Sequence, residues 1–142
     1  MTTEQNKAIV RRFFEAFKAD DQAALKEVLA PDVVAHLPGA PGPQNREAML
    51  QGVSMFNAAF SDRSFTIDDL IAEGDRVATR TTMRAVHSGD YQGQPPTGKQ
   101  IVVSGLTIER IQDGKIVERW FIHDRMDLMQ QLGLVPPPQA SR

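Results

Sequence analysis

The feature that most limits what this chain can fold into lies near its C-terminus, in the run LTIERIQDGKIVERWFIHDRMDLMQQLG at residues 106–133. Two apolar-rich stretches flank the dipeptide Asp113-Gly114. A two-residue type I′ hairpin needs φ > 0 at both central positions, a demand that Asp-Gly meets at low cost. The pattern therefore predicts an antiparallel hairpin. Its second strand, Lys115–His123, carries the single tryptophan, Trp120, into His123-Asp124. A carboxylate and an imidazole at the end of a mostly apolar strand can do acid–base chemistry if that end opens into a pocket.

Upstream, the hydrophobic period separates helices from strands. Thr2 with Gln5 forms a capping box, and Val10, Phe13, Phe14 and Phe17 follow at helical spacing. Asp20 or Asp21 caps a short second helix that Pro31 is expected to stop. Residues 33–37, with His36, read as extended, and the loop 38–43 has too much proline and glycine for helix or central strand. Asn45 caps a third helix whose buried stripe is Met49, Val53, Phe56 and Phe60. From Ser64 the period becomes two. One strand holds Phe65, Ile67 and Ile71 and turns at Glu73-Gly74-Asp75. Strand 76–87 follows, with Val77, Thr79, Thr81, Met83, Ala85 and His87 on one face and a wetter face opposite. A glycine- and proline-rich loop, 88–98, leads to a long strand at 101–111 that is apolar on both faces. A last helix at 126–132 ends at Gly133, and the tail 136–142 is expected to be loose. Helices first and long strands last make the class α+β, one domain over residues 1–135, with a curved antiparallel sheet wrapped around the N-terminal helices.

Composition narrows function more than it names it. Net charge is −2 from 16 basic and 18 acidic residues, and no basic run offers a footprint for nucleic acid. No apolar run approaches the roughly 20 residues that cross a bilayer. With no cysteine there is no disulfide, thiolate metal site or cysteine nucleophile. A cytoplasmic domain is expected. The three histidines show no metal-ligand spacing, and no nucleotide or serine-hydrolase motif occurs.

Asp124 leads the candidate catalytic residues, since a carboxylate desolvated at a strand end can serve as acid or base. It can equally cap the helix that follows, and the two roles are compatible. His123 points to the opposite face in a regular strand and ranks below it. Trp120, four residues before Asp124, shares its face and is expected to wall the pocket, though a core or interface tryptophan has the same pattern. His87 and His36 are candidate donors to a substrate oxygen, each with a structural alternative. Tyr91 from the loop, Met83 from the strand and Phe56 from the third helix complete the expected lining. Of Asp68 and Asp69, one is expected to face inward and need a partner.

Residues spread along the chain carry a family likeness. They include Val10-Arg11-Arg12-Phe13-Phe14, Leu29-Ala30-Pro31-Asp32-Val33-Val34, Asp69-Leu70-Ile71-Ala72-Glu73-Gly74-Asp75, Pro95-Pro96-Thr97-Gly98-Lys99, Asp113-Gly114-Lys115-Ile116-Val117-Glu118, and Leu128-Met129-Gln130-Gln131-Leu132-Gly133. Over residues 4–135 the sequence resembles the SnoaL-like polyketide cyclases, or ester cyclases, of the nuclear transport factor 2-like fold. The resemblance implies a cone of curved sheet closed by helices, an apolar cavity for a small hydrophobic molecule, and a homodimer or higher homo-oligomer. It also implies an intramolecular aldol ring closure by an acidic residue without metal or cofactor. That acid/base aspartate falls at Asp124 by the same resemblance. Two departures concern the substrate: His123 stands where relatives often carry an acid, and Thr81 where similar chains often have a large aromatic. A non-catalytic binding or assembly domain is the alternative, because one fold hosts many functions. Epoxide hydrolysis fits less well, since Arg80 is followed by Thr82 where a carboxylate would help.

Overall fold

In the computed structural model, which describes residues 1–136, the chain runs α1 (Thr3–Ala19), α2 (Gln22–Val28), β1 (Leu29–His36), α3 (Arg46–Ala59), β2 (Phe60–Glu73), β3 (Arg76–His87), β4 (Gln100–Gln112), β5 (Lys115–His123) and α4 (Arg125–Gln131). The strands form one curved sheet in the order β1-β5-β4-β3-β2. Neighbours are antiparallel except β1 and β5, which run parallel. The expected loose tail falls mainly on residues 137–142, outside the described residues.

Local chemistry accounts for the element ends. The Thr2–Gln5 capping box is closed in both directions. Asp21, not Asp20, caps α2, while Asp20 takes a left-handed conformation that ends α1. Asn45 caps α3 through the Ala48 amide. At the β4–β5 turn Asp113 and Gly114 have φ of 52° and 77°, as a type I′ hairpin demands.

Two boundaries differ from expectation. Pro31 does not end α2; it lies inside β1. A proline is tolerated there because β1 is an edge strand and its pairing shifts register between Leu29 and Val34. Phe60 is not the last helical residue but the first of β2, fully buried opposite His87.

The helices cover one face of the sheet, and alternation sends the odd-numbered residues of β3 and β4 toward them. Two apolar clusters result. One joins Ile9, Val10, Phe13 and Phe14 of α1 to Val77, Ile111 and Ile116 at one end of the inner face. The other joins Phe60, Met83, Ile101, Val103 and Tyr91 to Leu128 and Leu132 at the other end. Each large side chain buried in them contributes roughly 1.5–3 kcal/mol relative to exposure. Between the clusters the inner face changes character.

Candidate functional site on the inner face of the sheet

Cross-strand register sets out the region between the two cores as three rows. Val77, Glu109 and Arg119 are partners in the first, Thr79, Thr107 and Phe121 in the second, and Thr81, Gly105 and His123 in the third. Seven of these nine residues are polar, charged or glycine, the other two being Val77 and Phe121, on a face whose two ends are mainly apolar. The hydroxyls of Thr79 and Thr107 are buried without a hydrogen-bond partner among the described residues, and so is Nε2 of His123. Buried polar atoms are normally paired, and three of the seven buried side-chain atoms without a partner among the described residues fall on these adjacent rows. Gly105 leaves room in front of them. A Cβ there would lie 3.1 Å from Thr81 Oγ1 and 3.5 Å from the Phe121 ring.

Charge enters through one pair. Arg119 donates from Nε to Glu109 Oε2 at 2.9 Å and from Nη2 to Oε1 at 3.3 Å. Its guanidinium lies 4.4 Å from the centre of the Phe13 ring and 5.3 Å from that of Phe121. Phe121 in turn sits 5.4 Å from the His123 ring. Along β5 the inner face thus reads guanidinium, phenyl, imidazole. Burial holds the His123 pKa below the usual histidine value; the Arg125 charge adds to this and Asp124 opposes it. At neutral pH His123 is a neutral base.

The expected site residues are distributed differently from the forecast. Asp124 is exposed and caps α4, accepting from the Asp127 amide at 3.0 Å. Of the adjacent pair it is His123 that faces inward. Trp120 is on the outer face of the sheet, not walling the inner one. Its indole stacks on His36, with ring centres 5.4 Å apart, and Arg76 lies over the ring at 5.1 Å. His36 is 2.7 Å from Glu118, whose other oxygen accepts from Arg110. The His36 hydrogen bond, with help from Arg110, holds the Glu118 pKa below the usual carboxylate value. Beyond His36 the β5 edge is unpaired, and a hollow of about 360 Å³ opens there, walled by His36, Leu37, Pro38, Pro43 and Trp120. Phe121 lines this hollow too and is the residue it shares with the inner rows.

His87 is fully buried at the far end of the inner face. Its Nδ1 lies 3.2 Å from the Thr97 amide nitrogen and 3.0 Å from the Thr97 hydroxyl, while Nε2 has no partner among the described residues. It lies six positions along β3 from Thr81, the row-mate of His123, which is roughly 20 Å of strand, so His87 and His123 cannot act on one carbon. Met83 and Tyr91 belong to the second core cluster, with Phe56 packed against it. Burial raises the Tyr91 pKa, against the Arg125 charge. Neither Asp68 nor Asp69 points inward. A bulge between Ile67 and Asp69 leaves both exposed, Asp69 bound to Arg80 at 2.6 Å and Asp68 to Thr82 at 2.6 Å. Arg80 is therefore on the outer face, which removes the arrangement an epoxide hydrolase of this fold would use. Thr79, Thr107, Glu109, Arg119 and Phe121 were not among the expected site residues. Their sequence signal is polar letters at inward positions of strands whose other inward letters are aliphatic.

A curved, mainly antiparallel sheet with helices packed on one face in this way is the nuclear transport factor 2-like fold. The family model for SnoaL-like polyketide cyclase matches residues 7–132, and the chain belongs to that family. Aklanonic acid methyl ester cyclase DauD of Streptomyces sp. (strain C5) is 32% identical over 141 aligned positions, covering 94% of this chain and 86% of DauD. The corresponding cyclase DnrD of Streptomyces peucetius is 31% identical, covering 94% and 95%. Among solved structures, wild-type IdmH from Streptomyces antibioticus superposes with a TM-score of 0.82 at 38% identity, covering 91% of this chain and 99% of IdmH. No helix among the described residues is long and apolar enough to cross a membrane.

Proposed function

We propose that this chain closes a ring within a hydrophobic, enolisable carbonyl compound of the polyketide kind, and that the inner rows of the sheet are its site. The observation that carries the reading is a set of buried atoms on adjacent rows of one sheet face, each without a partner among the described residues: Thr79 Oγ1, Thr107 Oγ1 and His123 Nε2. His123, neutral at the working pH, takes a proton from the carbon next to a carbonyl. The C–H electron pair becomes the enolate π bond, and the threonine hydroxyls donate to substrate oxygens. The enolate carbon then attacks a second carbonyl of the same molecule, and the new alkoxide recovers the proton from His123. Substrate and product are isomers, so no other reagent enters the balance. Phe121 offers a flat apolar surface on which a conjugated substrate can lie.

In this mechanism Asp124 has a supporting part. It fixes the start of α4, and its charge favours the imidazolium that forms. His36 and His87 take no part. The test is turnover of aklanonic acid methyl ester, the compound named for the DauD and DnrD relatives, followed by chromatography of the isomeric product. His123→Gln is expected to cut turnover by about 10²–10⁴, the usual weight of a general base, while Asp124→Asn keeps most of it. A dead Asp124→Asn beside an active His123→Gln would reverse the assignment. Binding without turnover by the wild type would make this a ligand-binding domain.

A further inference from the structure

We propose that Arg119 is a catalytic residue of this site, receiving the negative charge that develops on a substrate oxygen when the α-proton leaves. The inference rests on the inner rows being the reaction site. It goes beyond that reading by assigning the charge-stabilising group and, with it, a substrate feature: an acidic enol or enolised carbonyl oxygen conjugated with, and on the far side of the Phe121 ring from, the carbon that loses its proton.

Three observations carry it. The guanidinium is anchored. Glu109, fully buried, holds it by two hydrogen bonds, and Phe13 and Phe121 lie near it. An anchored donor needs little reorganisation when charge develops, which is what makes fixed donors effective. The anchoring also leaves capacity. A guanidinium has five N–H donors, Glu109 takes two, and Nη1 has no protein partner among the described residues. Of the pair, the Arg119 side chain keeps 9% exposure and the Glu109 side chain none, so whatever reaches the pair meets the cation. Finally, the spacing suits one planar substrate. Phe121 lies between Arg119, 5.3 Å to one side, and His123, 5.4 Å to the other. A conjugated compound resting on that ring touches the base at one end and the guanidinium at the other, with Thr79 and Thr107 in the same row as the ring.

A buried ion pair is weak evidence of stabilisation, because desolvation offsets most of its attraction. Its position here, between an aliphatic cluster and two unpartnered hydroxyls, is accounted for by a substrate oxygen.

The experiment uses two probes of similar shape, 4-nitrophenolate and 4-nitroanisole, titrated against the full-length protein at a pH where the phenol is ionised. The wild type is expected to bind the phenolate about tenfold more tightly, as one charge-assisted hydrogen bond supplies. Its bound form should ionise at lower pH than the free phenol, read from the nitrophenolate absorbance. Arg119→Met with Glu109→Leu, which leaves no buried charge unpaired, should lose the preference and keep nitroanisole binding. With a cyclisable ester as substrate the same pair of changes should lower kcat and leave KM near its starting value, a split that a merely structural role would not give. Equal affinity for the two probes in the wild type, or a preference that survives the double change, overturns the role of Arg119 and leaves the pocket standing. Binding of neither probe overturns the pocket as well.

Discussion

Removing Arg119 alone should damage this protein far more than removing Arg119 and Glu109 together. The Glu109 side chain has no exposure, and Arg119 is its sole hydrogen-bond partner among the described residues. Arg119→Met keeps most of the apolar stem that packs near Phe13 and Phe121, so the loss is mainly electrostatic. It strands a carboxylate in the core, which costs about 3–5 kcal/mol. Adding Glu109→Leu removes the stranded charge, and such paired apolar replacements range from neutral to stabilising. For a domain near this size each kcal/mol moves the Tm by about 2–4 °C, so the single change should lower it by roughly 6–20 °C and the double change should restore it. Urea and thermal unfolding at neutral pH, run as a double-mutant cycle, measure the coupling. A single-variant loss below about 1 kcal/mol, the size seen for exposed pairs, would refute the reasoning, because the pair would then be hydrated.

Other outcomes follow from the same geometry. Because His123 is held below the ordinary histidine value of 6.5 by burial, the unfolded chain takes up its proton first as the pH falls. Its contribution to stability is therefore full above about pH 6.5 and declines until the lowered folded value is reached. Turnover should be flat above that folded value and fall below it, and His123→Gln should flatten both profiles. Gly89→Ala should be severe, since its Cβ would sit 2.3 Å from the Ala58 carbonyl oxygen, an atom fixed in the backbone at the end of α3. A Tm drop of a few degrees or less there would mean that the loop shifts freely. The outer face exposes Leu106 at 58%, Ile108 at 41%, Ile122 at 57% and Ile71 at 66%, rimmed by Arg76, Arg80 and Arg110, and we propose that a second copy covers it. Light scattering should report a dimer that Leu106→Lys with Ile108→Lys dissociates, and a wild-type monomer at micromolar concentration would count against it.

What the sequence disclosed, and what it withheld, divides along local and non-local physics. Asp113-Gly114, the Thr2–Gln5 box and the Asn45 cap are decided within a few residues, and all are found in the fold. The inward face of β3 was legible for the same reason: Val77, Met83 and Ala85 alternate with Arg76, Arg80 and Arg84 within one strand. The site was not local. Parity shows that His123 and Asp124 point to opposite faces, but which one points inward depends on pairing His123 with Gly105, eighteen positions earlier. Trp120 was expected to wall a pocket on the same face as Asp124, and the same register puts it opposite Ile108 on the outer face, where it walls the hollow beside His36. Pro31 was expected to stop a helix because nothing nearby shows that its strand has no neighbour on one side. The bulge before Asp69 left no trace in the letters either.

The two apolar clusters explain how the middle of the inner face can carry groups that work against folding. The hydroxyls of Thr79 and Thr107 are buried in the core without a partner among the described residues, at a cost of about 1–3 kcal/mol for each group so left. Thr81, one row further, reaches the Gly105 carbonyl at 3.5 Å and is at best weakly paired. Replacing Thr79 and Thr107 by valine keeps the branched shape and removes the penalty, so the double variant should be more stable than the wild type by roughly 1 kcal/mol or more, with a Tm higher by several degrees. The same variant should bind 4-nitrophenolate and a cyclisable ester less well. Stability and binding moving in opposite directions is the signature of polar atoms kept for a ligand. If the valine pair instead lowers the Tm, the hydroxyls are satisfied within the folded protein, and the middle of the inner face is ordinary core.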